Sequence, residues 1–269
     1  MVWTNILVPA LGGDGDARTL AVARALAEPF GATITLAHAS PSPIGVFNWA
    51  GDTSFGPTDA AVAALQRNAE RGQARCRALL GDLGYPKVLF EAVIADDWMG
   101  LRAASRLADV VVWEPAVTRG HGFLAGAFQH ILLDERRPAF VADDPPSIGG
   151  TVAIAWDGGR EASRALRRAI PLLRLTRRIV LLTAGSVTAR SSGGARALAY
   201  LADQGVPAAP EVLHKRGDPG PAILAAAREA GADLLVAGAF GHPRLQRFIF
   251  GGTTRLLLEN RATALFLSH

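Results

Sequence analysis

The chain has 269 residues but one cysteine, Cys76. An intrachain disulfide and a cysteine-based metal cluster are therefore excluded, and a reducing compartment is the expected setting. Lysine is nearly missing as well: Lys87 and Lys215 are the two present, so arginine carries the positive charge. No uninterrupted apolar run approaches the ~18 residues that a membrane span needs. The opening MVWTNILVPA has neither the charged stretch nor the apolar core of a leader and reads as a first strand. A soluble, cytoplasmic protein is the expectation.

Several chemistries are missing too. There is no Gly-x4-Gly-Lys-Ser/Thr phosphate loop and no Gly-x-Ser-x-Gly nucleophile elbow. GDGD at 13–16 hints at calcium, but counting twelve residues from Asp14 puts Ala25 where a bidentate glutamate belongs. The six histidines are scattered without ligand spacing. No catalytic set and no metal site are assigned.

What is present is apolar and patterned. Hydrophobic residues make up 49% and charged residues 19%, enough to fill a core. The net charge is +4 and the pI about 9.9, a mild basicity compatible with nucleotide phosphates or nucleic acid. Arg164, Arg167, Arg168, Arg174, Arg177 and Arg178 lie on or beside one predicted helix. A solvated face is the preferred reading, since no aromatics interleave with them as in a nucleic-acid footprint.

Short apolar runs alternate with helical stretches: NILVPA, ATITLAHA, KVLFEAVI, DVVVWE and PAFVAD, then TVAIAW, RIVLLTA, APEVLHK, DLLVAGA and TALFLS. Such runs between amphipathic helices mark parallel strands covered on both faces. LADVVVW at 107–113 echoes GADLLVA at 231–237, and RPAFVAD at 137–143 echoes ATALFLS at 262–268. The pattern predicts an α/β chain of two tandem domains, 1–146 and 147–269, with the Pro- and Gly-rich DDPPSIGG at 143–150 as the seam. Helices are expected to start at Asp16, Thr58, Asp97 and near Gly126, then near Arg160, Gly193, Pro219 and Gly251. Thr58, Asp97 and Asp218 are candidate N-caps, and Pro219 suits a first helical turn. Residues 40–57 break the repeat with a long loop that reads as a lid, a partner contact or a cover over the sheet edge.

The stretch GAFGHPRLQRFIFGGTT, 238–254, stands between a strand and a helix. Ligands of open parallel sheets bind at the carboxyl ends of strands. A helix N-terminus there offers unpaired N–H groups and a positive dipole end to an anion. Glycines permit close approach, and Thr253 and Thr254 add hydroxyls. An anion or nucleotide site in the second half follows. Arg244 and Arg247 could reach phosphates or simply be solvated, and His242 has no visible partner.

The spacing Gly238-x2-Gly241-x9-Gly251 resembles the nucleotide-binding signature of the universal stress protein family, as do VAIAWDGG, RGDPGPAILAAAREAGADLLVAGA and the ending ALFLSH. The resemblance covers the chain as a tandem pair. It implies two open-twisted five-stranded parallel sheets of strand order 3-2-1-4-5, Rossmann-like, with helices on both faces. It also implies ATP or another adenine nucleotide, with or without Mg, bound in the second domain. Asp157 would face adenine, while Gly238, Gly241, Gly251, Gly252, Thr253 and Thr254 would surround ribose and phosphates, with His242 and Arg244 in the same loop. One departure is Gly252, where the family places Ser or Thr.

The first half lacks these features: Glu114 aligns with Gly238, Val117 with Gly241, Leu11 with Asp157, and Ala127 and Phe128 follow Gly126. It reads as a copy without a nucleotide site. The leading expectation is a stress-response regulator that acts through conformation or an unidentified protein partner, with at most slow ATP hydrolysis. Its domains would pack as an intrachain pseudo-dimer, and two chains could pair further; nucleic acid and membrane are not expected partners. The alternatives are an enzyme of adenylyl or phosphoryl chemistry and an interaction protein with an empty site.

Overall fold

The computed structural model describes residues 2–40, 58–94, 99–184, 193–213, 219–240, 252–259 and 262–269. All ten apolar runs form strands: β1 (Asn5–Ala10), β2 (Thr33–Ser40), β3 (Val88–Ile94), β4 (Val110–Trp113) and β5 (Ala139–Val141), then β6 (Thr151–Trp156), β7 (Arg178–Ala184), β8 (Ala209–Leu213), β9 (Leu234–Gly238) and β10 (Ala264–Ser268). The longer helices are α1 (Asp16–Ala27), α2 (Asp59–Asp82), α3 (Met99–Ser105) and α4 (Ala125–Leu133), then α5 (Arg160–Leu173), α6 (Gly194–Asp203), α7 (Pro219–Glu229) and α8 (Gly252–Glu259). Thr58 caps α2 as expected, its Oγ1 accepting the Ala61 N–H at 3.3 Å. Pro219 opens α7. Asp97, Asp218 and loop residues 41–57 lie outside the described residues.

Strand order in the first half is β3-β2-β1-β4-β5, and in the second β8-β7-β6-β9-β10, so both halves follow the expected 3-2-1-4-5. Within each half every strand pair is parallel. The expected pair of five-stranded sheets is joined into one ten-stranded sheet, because the edge strands β5 and β10 pair antiparallel. Phe140 stands opposite Phe266 in that pairing, and both are fully buried. Trp3, from the start of the chain, stacks on Phe266 with ring centroids 6.0 Å apart and meets Phe30 at 5.3 Å. Two buried apolar layers cover the faces of the sheet, and each draws side chains from both halves.

The echo between the halves has a concrete cause at the strand starts. Asp109 Oδ2 accepts the backbone N–H groups of Thr4 and Asn5 at 2.6 and 3.0 Å. Asp233 Oδ2 accepts that of Thr151 at 2.8 Å. In each half the aspartate before the fourth strand ties down the first.

Candidate functional site

The carboxyl ends of β6 and β9 bring together what the sequence separates by about eighty residues. After β6, Asp157 is exposed, and its Oδ1 accepts the Gly159 N–H at 2.7 Å. Gly158 takes φ +81°, a left-handed turn suited to glycine, and α5 begins at Arg160. Asp157 thus shapes the turn with one carboxylate oxygen while facing solvent at the strand end.

Gly238 closes β9 against the start of α5. A Cβ there would lie 2.5 Å from the Ala162 nitrogen and 2.7 Å from the Glu161 carbonyl carbon, so only hydrogen fits. Beyond it, Ala239 donates its N–H to the Ser268 carbonyl at 3.0 Å. Phe240 adopts φ +60°, left-handed and uncommon for a large residue. Its N–H donates to Thr254 Oγ1 at 3.3 Å, tying the exit of β9 to the first turn of α8. Thr254 is buried, Thr253 half-buried and Gly252 exposed. Of the two hydroxyls expected at the phosphates, that of Thr254 holds the loop, and that of Thr253 stands nearer the surface. Gly241, His242, Arg244, Arg247 and Gly251 lie outside the described residues.

The same edge of the first half is filled by protein. By strand register Glu114 stands where Gly238 does, and Gly15 stands where Glu161 does. A Cβ on Gly15 would lie 2.8 Å from one Glu114 carboxylate oxygen and closer to the other. Glycine and glutamate have exchanged places across one strand–helix contact. Each edge therefore carries a glutamate, Glu114 in the first half and buried Glu161 beside Gly238 in the second.

Three further features occupy the first-half edge. Trp113 and Phe128, where the second half has Ala237 and Thr253, pack edge to face at 5.5 Å and are buried. Asp16 Oδ2 accepts the N–H groups of Gly12 and Gly13 at 2.7 and 2.9 Å, so the loop that could cradle an anion already holds a carboxylate. Burial pushes the Asp16 carboxyl above its ordinary range, with neighbouring Glu114 adding to the rise, against backbone hydrogen bonding that lowers it. Finally, α2 lies directly on this loop: a Cβ on Gly72 would meet the Leu11 carbonyl at 2.8 Å and the His38 ring closer still. Among the described residues, Gly193, as far before Gly205 as Gly72 is before Gly84, has nothing within 4 Å of such a Cβ. Burial, helped by the Asp16 charge, pushes the Cys76 thiol on α2 up to about 11 and leaves it neutral.

Sequence reading missed Gly15, Asp16, Gly72 and Glu161. For Gly15 and Asp16 the visible signal was the GDGD cluster, weighed as a calcium loop and set aside at Ala25; Gly72 and Glu161 gave none.

Residues 150–261 match the model of the universal stress protein family. The second half of the chain belongs to that family. A universal stress protein from Archaeoglobus fulgidus DSM 4304 shares the fold over 98% of this chain and 95% of its own, with TM-score 0.71 and 15% identity. A functionally unknown protein from Pseudomonas aeruginosa PAO1 aligns over 98% of this chain and 92% of its own, with TM-score 0.59 and 16% identity. At such identities the likeness is one of fold, here the universal stress protein fold over both halves. No functionally curated protein matches the chain. Among the described residues no helix is long and apolar enough to cross a membrane.

Proposed function

We propose that this chain binds an adenine nucleotide, ATP or a relative with or without Mg, in its second domain, 147–269, and that it regulates by conformational or partner-binding change with little turnover. The first domain, 1–146, keeps the fold without the site. The observation that carries this reading is the contrast between the two strand-end edges. One is filled by Trp113, Phe128, the Asp16 carboxylate and α2. The other presents exposed Asp157, exposed Gly252 and half-buried Thr253 at the first turn of α8.

These groups fit the ligand's parts. A carboxylate accepts from an exocyclic amine, and the first turn of a helix donates N–H groups to phosphate. Gly241, Gly251, His242 and Arg244 are proposed to complete the loop around ribose and phosphates. A second reading, an interaction protein with an empty site, is favoured by Gly238 and Thr254, since each has a structural role that needs no ligand.

Denaturing the purified protein and chromatographing what it releases separates the two. Near-stoichiometric adenine nucleotide is expected, with affinity reduced about tenfold or more in Asp157→Ala, the scale of a hydrogen bond to a charged group. Absence of both released nucleotide and any ATP-dependent rise in melting temperature would sink the proposal.

A further inference from the structure

The arginines on and after α5 do not share one environment. Arg167, Arg174, Arg177 and Arg178 are exposed, as a solvated face requires, whereas Arg164 and Arg168 are half-buried. Arg168 crosses the seam between the halves. Its Nη1 donates to Ser268 Oγ at 2.9 Å and to the backbone carbonyl of Arg136. Arg136 sits in the turn before β5 at φ +53°, left-handed, with its side chain exposed. Next to it, Arg137 Nη1 donates to the Ala108 carbonyl at 3.4 Å, while its Nε is buried with no hydrogen-bond partner among the described residues.

The charged groups that act on Arg168 are all of its own sign. Burial pushes the Arg168 guanidinium below its usual range, and the charged neighbours adding to that fall are Arg137, Arg164 and Arg136. None of the four forms an ion pair among the described residues. The nearby Glu135 is committed elsewhere, to Arg102 and Arg106 at 3.0 Å each. Its carboxyl is held below the ordinary range, by the Arg106 hydrogen bond first.

Arg168 meets the Arg136 carbonyl, Arg137 follows in the chain and Arg164 stands one helical turn before Arg168, so four arginines, two from each half, gather at a seam where carbonyl and hydroxyl oxygens accept from Arg137 and Arg168. Like charges gathered in a partly dry place repel one another, and a multivalent anion relieves that repulsion. Planar guanidinium forks match the oxygens of phosphate, two hydrogen bonds at a time. The place is also suitable, since Ser268 pairs with Gly238 in the sheet at the strand-end edge of the second half.

We infer that Arg136, Arg137, Arg164 and Arg168 form a binding site for a phosphate-type oxyanion of at least two negative charges, assembled when β5 and β10 zip the halves together. The anion is a free phosphate or pyrophosphate, or the phosphate tail of a nucleotide. The site does not depend on the nucleotide reading, because each half supplies two of its cations and neither Asp157 nor the glycine loop is needed.

The test is thermal unfolding of the full chain with inorganic pyrophosphate, ATP or adenosine, each balanced with sodium chloride to one ionic strength. The variant is Arg136→Gln/Arg164→Gln. Neither side chain makes a hydrogen bond to the described protein, so the fold keeps its contacts. In the wild type, pyrophosphate at about tenfold over its Kd is expected to raise Tm by about 3–5 °C. The double variant should lose that rise and melt higher than wild type without ligand. A rise with ATP alone, lost in the double variant, assigns the anion to a nucleotide tail. The inference is overturned if neither anion raises Tm, or if the double variant keeps the wild-type rise with both. An ATP rise kept in the double variant but lost in Asp157→Ala, with no pyrophosphate effect, also overturns it and leaves the nucleotide site standing. A pyrophosphate rise without any ATP or adenosine rise does the reverse.

Discussion

Gly238 shows how one residue type serves two arguments. In the sequence it stands at a strand end within a spaced set of glycines, which points to a ligand. In the fold its missing Cβ is the space taken by the Ala162 nitrogen 2.5 Å away and the Glu161 carbonyl carbon. The glycine is required by the approach of α5 whether or not a nucleotide binds. Gly238→Ala should therefore lower the stability of ligand-free protein by about 1–3 kcal/mol, as forced overpacking does. Urea unfolding of nucleotide-free protein measures this, and an unchanged midpoint would return the residue to a purely ligand-facing role. Asp157 behaves differently: its place after β6 was legible, and the bond from its Oδ1 to Gly159 is what any Asp-Gly-Gly turn would make.

At the scale of elements, the ten strands were readable because a strand buried on both faces must be apolar along its length, and that constraint acts within a few residues. Helix starts were readable where a cap or proline fell in place, as at Thr58 and Pro219. Unreadable was the reach of α2, whose residue Gly72 presses on the loop after β1. That contact joins segments about sixty residues apart and leaves no periodic trace. In the same loop the buried Asp16 carboxyl has a raised pKa. An acid whose folded pKa is raised favours the fold below its unfolded value, and that contribution is lost as pH rises through the folded value. Asp16→Asn keeps an acceptor oxygen for Gly12 and Gly13 but removes the titration. Between about pH 4 and pH 7 its stability should fall less, or rise more, than that of the wild type. Urea midpoints across that range test it, and parallel curves would refute the assignment.

For the whole molecule the deciding feature is the antiparallel pairing of β5 with β10. It turns two sheets into one and runs both apolar layers from half to half. Phe140, Phe266 and Trp3 sit at that seam, all buried. Cooperative unfolding follows, since neither half can lose its edge without exposing the other's core. Calorimetry is expected to show one transition for the chain. Phe266→Ala should shift that whole transition, costing about 3–5 kcal/mol. Two separate transitions in the wild type, or a loss confined to one of them in the variant, would mean that the halves fold apart.

By itself the amino-acid sequence determined the parallel α/β class, the ten strands, their repeat from half to half and the glycine-and-threonine stretch after β9, because apolar periodicity and turn chemistry act over a few neighbouring residues. The tertiary structure decided which glycines are there for packing, that one edge is filled while the other presents Asp157 and Thr253, and that arginines from both halves meet at the seam. Arg168 and Ser268 are 100 residues apart in the chain. That contact lies within the second half, whereas the bond from Arg168 to the Arg136 carbonyl exists only once the edge strands have paired, and no local pattern encodes which edges will meet.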